Sequence, residues 1–219
     1  MSKPGGYLEC RCGDCRITLC DPTPRFRVEC LCYDCRQRLL ISASRRIENA
    51  PSAEFTAYRR GVDLMYFTNA LIVDPPSRNL LEFSKLREDA FNTTAMSKCC
   101  ATLMCGVPPA FKEASIWATP DSCNIVVETD MQPRSYLFGC DFPAEKCAEL
   151  PRHQNIPIVF SVFDEMDSAP IVELLSAIRA PLRQAFTPTD YTTFERLSAD
   201  EPVAIDNACF DESRRGYTP

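Results

Sequence analysis

The clustering of its 14 cysteines is the sequence feature that most constrains how this chain folds. Seven cysteines lie between Cys10 and Cys35, three more follow at Cys99, Cys100 and Cys105, and four are scattered. Disulfide frameworks belong mainly to small exported domains, whereas this chain has 219 residues and no apolar signal segment near Met1. We therefore expect a cytoplasmic protein, in which clustered cysteines favour metal binding over disulfide formation.

The first cluster contains a short internal repeat. Segments 10–16 and 30–36 both read C-x-C-x-D-C-R and begin twenty residues apart. The C-x-x-C turn places two sulfurs within reach of one tetrahedral ion, with Zn–S distances of about 2.3 Å. The preceding C-x-C brings a third sulfur to the same ion, so each segment predicts three thiolate ligands. The fourth corner is left to another residue or to a small molecule.

The same cysteines fit three other interpretations. Each C-x-x-C also fits a redox pair, but a thioredoxin-like motif precedes a long helix, and neither segment is followed by a helical pattern. Iron–sulfur ligation fits the number of cysteines, but the spacings do not resemble its usual runs. Incidental buried cysteines are the third alternative. Zinc binding is the interpretation that the spacing favours.

Charge and hydropathy exclude two classes of partner. The chain has 24 basic and 30 acidic residues, for a net charge of −6, which argues against a nucleic-acid-binding protein. Even the loosely apolar run Ile156–Phe163 is far shorter than the roughly 20 residues that span a membrane. The single histidine, His153, leaves no room for a site that needs two and is expected at the surface.

Residue patterns predict a mainly β fold with a mixed α/β C-terminal region. Short apolar or alternating runs predict strands at 16–20, 26–30, 64–67, 80–83, 124–128 and 156–163. One helix is predicted between Ser168, a suitable N-cap, and Pro181, with Ile171, Leu174, Leu175 and Ile178 on one face. Residues 187–219 are polar and offer little core material. We divide the chain into 1–111 and an extension, 112–219, which either forms its own unit or packs onto the first.

The cysteine motifs resemble those of the glutathione-dependent formaldehyde-activating enzyme family, abbreviated GFA, to which centromere protein V also belongs. The resemblance covers residues 7 to 105 and rests on a C-x-C-G start and a C-x-C-x-x-C-R centre. Leu31 stands where the family has histidine. The late family motif C-x-x-C-G-T is replaced by the segment 97–102, Ser-Lys-Cys-Cys-Ala-Thr, which is similar to a divergent branch of the family.

This resemblance implies a β-tent of small antiparallel sheets stitched together by two zinc ions per chain. A closed structural zinc would be held by Cys10, Cys12 and Cys100 with Cys99 as fourth ligand, although Cys15, Cys20 or Cys105 could complete it instead. A second zinc with an open corner would be held by the catalytic cysteines Cys30, Cys32 and Cys35. In the family, this second site is where glutathione chemistry occurs.

The charge of the second site indicates which chemistry it suits. Three thiolates on Zn²⁺ carry one net negative charge, which makes a poor Lewis acid for producing hydroxide but still deprotonates an incoming thiol. The resulting thiolate can attack a carbonyl carbon. Arg36 and Arg38 lie close in sequence and could meet a substrate carboxylate, although exposed basic residues are the commoner outcome. Trp117 could line a pocket but is more often a core residue.

Two functions follow from these observations. The first is a carbon–sulfur lyase that adds a small thiol such as glutathione to an aldehyde-like carbon, with Arg36 contacting the thiol substrate. The alternative is a non-catalytic module that two zinc ions stabilise and that binds a protein partner. The fourth ligand of the second zinc distinguishes them, because a protein ligand there would close the site.

Overall fold

The computed structural model describes residues 5–45, 61–107, 114–152, 154–181, 191–199 and 201–206. Within these ranges the chain is mainly β, with two sheets and few helices, as the residue patterns predict. The smaller sheet is antiparallel and has the strand order β10-β1-β2-β5. It is formed by β1 (Tyr7–Glu9), β2 (Arg16–Leu19), β5 (Leu71–Ile72) and β10 (Asn124–Val126).

The larger sheet has nine strands among the described residues. They are β3 (Phe26–Cys30), β4 (Val62–Thr68), β6 (Leu81–Lys85), β7 (Thr93–Ser97), β8 (Leu103–Val107), β9 (Ser115–Ala118), β11 (Tyr136–Leu137), β12 (Ile158–Val159) and β13 (Val203–Ile205). Their order is β12-β11-β3-β4-β9-β8-β7-β6-β13, with parallel pairs only at the two edges. The prediction of small antiparallel sheets is therefore wrong for this sheet, because β11, β12 and β13 extend it in parallel.

Strands from both predicted parts of the chain share the two sheets. β9 lies between β4 and β8, and β10 pairs with β1. Trp117, in β9, is a buried core residue. Phe194 and Leu197 are also buried, and the Phe194 ring meets Phe83 edge-on at 5.5 Å between centroids. The expectation that residues 187–219 contribute little to the core is wrong at these two positions.

The described helices are α1 (Tyr33–Ser44), α2 (Pro75–Asn79), α3 (Ala169–Arg179) and α4 (Phe194–Ser198), with 3-10 turns at Gly139–Asp141 and Ala144–Glu149. The helix predicted after Ser168 is confirmed as α3, because Ser168 is its N-cap and Pro170 lies in its first turn. Its buried residues are Ile171, Leu174 and Ile178, which pack against β3 and β4. None of the described helices has the length and apolar character to cross a membrane.

Helix α1 contradicts the sequence interpretation. It begins at Tyr33, directly after Cys32, where no helical pattern was recognised. The sequence of this segment shows no amphipathic pattern, because the polar residues Arg36, Arg38 and Ser42 are among those that the helix buries. The order strand, C-x-x-C, helix is therefore present at Cys32, so the absence of a helix no longer argues against a redox pair there.

Most of the predicted strands are present with small shifts of boundary. β3 has the predicted ends, and β2 and β10 lie within their predicted ranges. The run 156–163 is the exception, because only Ile158–Val159 is a strand. The backbone amides of Phe160 and Ser161 both donate to Glu165 Oε1, at 2.7 and 3.0 Å, which turns the chain away from the sheet. His153 lies outside the described residues.

Candidate metal centres

The first cysteine cluster lies where turns from the two sheets meet. Cys10 and Cys12 belong to the turn between β1 and β2 of the smaller sheet. Cys99 and Cys100 belong to the turn between β7 and β8 of the larger sheet. All four Sγ atoms lie within 4.8 Å of one another, so these thiols could hold a metal ion. A metal ion bound there would join the two sheets.

The sulfur–sulfur distances match those of a tetrahedral thiolate site. The Sγ atoms of Cys10 and Cys12 are 3.4 Å apart, and Cys99 Sγ lies 3.7 Å from Cys10 and 3.3 Å from Cys12. The Sγ atoms of the adjacent Cys99 and Cys100 are 4.0 Å apart. Four sulfurs placed at Zn–S distances of about 2.3 Å have edges of about 3.8 Å. Cys99 and Cys100 thus direct their sulfurs toward the same point, although they are adjacent in the chain.

Hydrogen bonds from the surrounding turns favour the ionised form of Cys100, whereas burial raises the pKa of Cys12 and Cys99. The backbone amide of Cys15 donates to Cys10 Sγ at 3.3 Å. Ser97 and Thr102 have their hydroxyls 3.3 and 3.1 Å from Cys100 Sγ. Burial opposes ionisation of Cys100, but these hydroxyl hydrogen bonds outweigh it and lower its pKa to about 6. Ser97 thus contacts the Cys100 sulfur of this cluster through its hydroxyl.

The alternative fourth ligands lie elsewhere. Cys15 is buried, and its thiol donates to the Ser77 carbonyl at 3.6 Å. Cys105 is buried in the apolar core, where burial raises its pKa well above the usual value. Cys20 is half-buried and is also outside the group of four. Of the four candidates considered for the fourth position, the structure brings Cys99 to the site.

The second cluster is local to one junction between a strand and a helix. Cys30 ends β3, Cys32 is the N-cap of α1, and Cys35 lies in the first turn of α1. Their Sγ atoms lie within 4.8 Å of one another, so this group could also hold a metal ion. Cys32 Sγ accepts a hydrogen bond from the Cys35 amide at 3.3 Å, as an N-cap side chain does. Cys30 adds a third sulfur, which a two-thiol redox motif does not need.

The thiols of the second cluster differ in the direction of their pKa shifts. Hydrogen bonds from the Cys30 and Cys32 thiols hold the pKa of Cys35 well below its usual value. The hydrogen bond with Cys32, together with burial, raises the pKa of Cys30. One negative charge is thus stabilised without a cation, whereas three adjacent thiolates require one. This donor set suits a soft or borderline divalent ion such as zinc.

The arginines near this cluster are buried, contrary to the expectation of exposed basic residues. Arg36 is 3% exposed, and its Nη2 donates to the Asp141 carbonyl at 2.7 Å. Arg38 is also 3% exposed and donates to Thr94 Oγ1 at 2.5 Å and to the Asn92 carbonyl at 2.6 Å. The Arg38 charge helps to lower the pKa of Cys35. The predicted contact of Arg36 with a thiol substrate stays a prediction.

Asp141 is a neighbour of the second cluster that sequence reasoning did not identify. Its Oδ2 accepts a hydrogen bond from the Tyr33 amide at 3.0 Å, in the first turn of α1. Burial raises the pKa of Asp141, and the nearby Cys32 sulfur raises it further. No local pattern around Asp141 indicates this role, because 108 positions of sequence separate it from Tyr33.

The two clusters differ in the number of thiols that they contain. The first contains four thiols, and the second contains three among the residues that the structure describes. Asp141 and the adjacent Cys140 approach the second cluster without belonging to its group of mutually close ligand atoms. A four-thiol site suits a structural ion, whereas a three-thiol site leaves a position for another ligand. No protein-family model, curated protein or solved structure matches this chain.

Proposed function

We propose that this protein is a zinc-dependent enzyme of the carbon–sulfur lyase type. It adds a small thiol to an aldehyde or a similar carbon centre, or removes it, at the site of Cys30, Cys32 and Cys35. The observation that carries this proposal is the contrast between a four-thiol and a three-thiol cluster in the described part of one chain. The motif resemblance over residues 7 to 105 supports the same activity and a zinc-stitched tent.

Both clusters have donor sets that fit zinc. Thiolates favour zinc over hard cations, and the sulfur spacings of the first cluster suit a tetrahedral ion. Cys10, Cys12, Cys99 and Cys100 would hold the structural ion, and the three cysteines of the second cluster would hold the other. Zinc bound at the second cluster supplies a cationic centre that lowers the pKa of a neighbouring thiol.

The proposed reaction balances without an oxidant or reductant. The thiol sulfur forms a bond to the carbonyl carbon, the carbon–oxygen π bond breaks, and the thiol proton ends on the oxygen. The product is a hemithioacetal, and the reverse steps release thiol and aldehyde. The thiol must therefore lose its proton on binding, and the developing alkoxide must receive one from the protein.

Two charged residues of this chain support that proton transfer. Arg38, held by Thr94 and Asn92, places a buried positive charge beside Cys35 and offsets the negative charge of the thiolates. We assign Asp141 as the general acid that gives a proton to the developing alkoxide, because it lies beside Cys32 and burial raises its pKa. Its fixed hydrogen bond to Tyr33 orients the carboxyl group toward the start of α1.

Proton counting on thiol binding tests the proposal. Zinc-loaded protein is titrated with glutathione and with 2-mercaptoethanol by isothermal calorimetry, in two buffers of different ionisation enthalpy. We expect about one proton released per thiol bound at neutral pH, and none with S-methylglutathione, which has no thiol proton. The Cys32→Ser variant should lose this release.

A second variant separates thiol binding from proton transfer. Asp141→Asn keeps a hydrogen-bond acceptor for Tyr33 but cannot exchange a proton. We expect it to bind thiol with proton release and to form hemithioacetal about 100-fold more slowly, as is typical when a general acid is removed. Fully zinc-loaded protein that binds no small thiol would instead identify a non-catalytic module with two structural ions.

A further inference from the structure

Three phenylalanines without a role in the proposed reaction form a strip at the surface. Phe91 and Phe163 are 61% and 54% exposed, and Phe138 is half-buried. The Phe91 and Phe163 ring centroids are 6.4 Å apart, and those of Phe138 and Phe163 are 6.5 Å apart. We call Phe91, Phe138 and Phe163 the aromatic strip. Exposed aromatic groups in mutual contact mark binding surfaces more often than isolated apolar residues do.

One end of the strip is fixed to the second cysteine cluster. Phe138 directly follows Leu137. Leu137 pairs with Cys30, and its carbonyl accepts a hydrogen bond from the Leu31 amide at 2.8 Å. Phe138 packs against the apolar cluster that contains Cys30 and Cys35. Three residues later, Asp141 holds the first turn of α1 through Tyr33. Phe138 therefore lies where the chain passes the cysteine ligands.

The other end of the strip is fixed to the same helix. Arg87 Nη1 and Nη2 contact the two carboxylate oxygens of Asp34, at 2.9 and 3.1 Å, in the first turn of α1. The backbone carbonyl of Asn92, the residue after Phe91, accepts a hydrogen bond from Arg38 Nη2 at 2.6 Å. The loop between β6 and β7 is thus tied to the helix that carries Cys32 and Cys35. The strip spans three loops, and the two that carry its end residues, Phe91 and Phe138, are anchored beside these ligands.

The charges around the site do not suit glutathione, whose two carboxylates need cationic partners. The three arginines nearest the cluster are already engaged by the protein: Arg36 with Asp141, Arg38 with Thr94 and Asn92, and Arg87 with Asp34. Asp34 is paired with Arg87, and the group beside the start of α1 on the other segment is the carboxyl of Asp141, so neither offers a cationic partner to a substrate carboxylate. Within the described ranges, the surroundings of the second cluster therefore favour an uncharged substrate.

We propose that the aromatic strip is the substrate platform of the second site, and that its thiol substrate carries an uncharged aryl group. This inference rests on the proposed thiol chemistry and names the substrate class for it. An aryl group that stacks on Phe91 and Phe163 gains apolar burial and ring contact, while its sulfur reaches the cysteine ligands. A small polar thiol gains neither.

Calorimetry on the zinc-loaded full chain tests this preference with three thiols: benzyl mercaptan, 2-mercaptoethanol and glutathione. We expect benzyl mercaptan to bind at least tenfold more tightly than the other two. Phe91→Ala and Phe163→Ala should each reduce this ratio several-fold, and Phe163→Trp should preserve it. Val172→Ala is the matched control, because Val172 is 52% exposed but lies on α3, outside the strip, and should leave the ratio unchanged.

The possible outcomes separate this inference from the function on which it rests. If glutathione binds as tightly as benzyl mercaptan and releases a proton, the thiol chemistry stands and the aryl preference is wrong. If benzyl mercaptan is preferred but the phenylalanine variants bind like the control, the strip is not the platform. If none of the three thiols binds, the proposed function fails, and this inference fails with it.

Discussion

At the residue scale, the turn from Ser97 to Thr102 shows how individual side chains shape a ligand site. The Ser97 amide donates to the Thr102 carbonyl at 2.8 Å, and the Thr102 amide donates to Ser97 Oγ at 3.0 Å. Between them, Ala101 has a φ of +50°, in the left-handed region. A residue with a Cβ is disfavoured there by about 1–2 kcal/mol, and glycine is not. The geometry that presents Cys99 and Cys100 is therefore held at a local cost.

Replacing Ala101 by glycine should relieve this cost. We expect Ala101→Gly to raise the free energy of unfolding of the zinc-loaded protein by about 1 kcal/mol, because the left-handed conformation then carries no Cβ penalty. Urea denaturation followed by circular dichroism measures the change. Ala95→Gly, in the neighbouring strand β7, is the control and should lower stability. A destabilised Ala101→Gly variant would show that the turn is not strained at this position.

At the scale of elements, helix α3 is held in place by a buried side chain at its C-terminus. Arg25, which is 6% exposed, donates from Nη1 to the carbonyls of Ile178, at 3.2 Å, and Ala180, and from Nη2 to that of Pro181, at 3.2 Å. Its Nε donates to Thr68 Oγ1 at 2.8 Å, in β4. The last carbonyls of a helix lack partners within the helix, and its C-terminal dipole favours a cation. Arg25 thus joins α3 to the centre of the larger sheet.

Removing this side chain should loosen α3. We expect Arg25→Ala to lower the free energy of unfolding by about 3 kcal/mol, since one buried and two partly buried carbonyls lose a charged donor. Arg179→Ala, an exposed arginine in the last turn of the same helix, should change it by less than about 0.5 kcal/mol. Urea denaturation of both variants is the measurement. Equal effects would mean that the charge at the helix end matters and the buried contacts do not.

At the scale of the whole molecule, the two cysteine clusters hold different lengths of chain together. The first joins Cys10 to Cys99, which are 89 positions apart and belong to turns of different sheets. The second joins residues within the six positions from Cys30 to Cys35. Closing a long loop removes more conformational entropy from the unfolded chain than closing a short one. Loss of the first ion should therefore affect the whole fold.

This difference predicts unequal effects of equivalent substitutions. Cys10→Ser should lower the free energy of unfolding of the zinc-loaded protein by about 3 kcal/mol or more, and Cys32→Ser by about 1 kcal/mol. Zinc content should fall from about two ions per chain to about one in each variant. Cys147→Ser, at a half-buried cysteine outside both clusters, should change neither quantity. Equal destabilisation by the first two would indicate that both ions are structural.

The sequence by itself was sufficient to predict the grouping of Cys30, Cys32 and Cys35, the mainly β character and helix α3. Cysteine spacing acts over a few residues, and the apolar face of α3 follows a periodicity that its own side chains display. Helix α1 was missed because tertiary contacts bury Arg36, Arg38 and Ser42, which a local pattern assigns to the surface. Propensity and periodicity cannot identify a buried arginine, since its partners come from distant segments.

Only the tertiary structure decided what surrounds the second cluster. Asp141 approaches Tyr33 across 108 positions of sequence, and Phe91 meets Phe163 from a different loop. The tertiary structure likewise brought Cys99, rather than Cys15, Cys20 or Cys105, to the first cluster. Ligand spacing is a local geometric requirement that the sequence records directly. The choice among distant candidates depends on sheet pairing, which no single segment encodes.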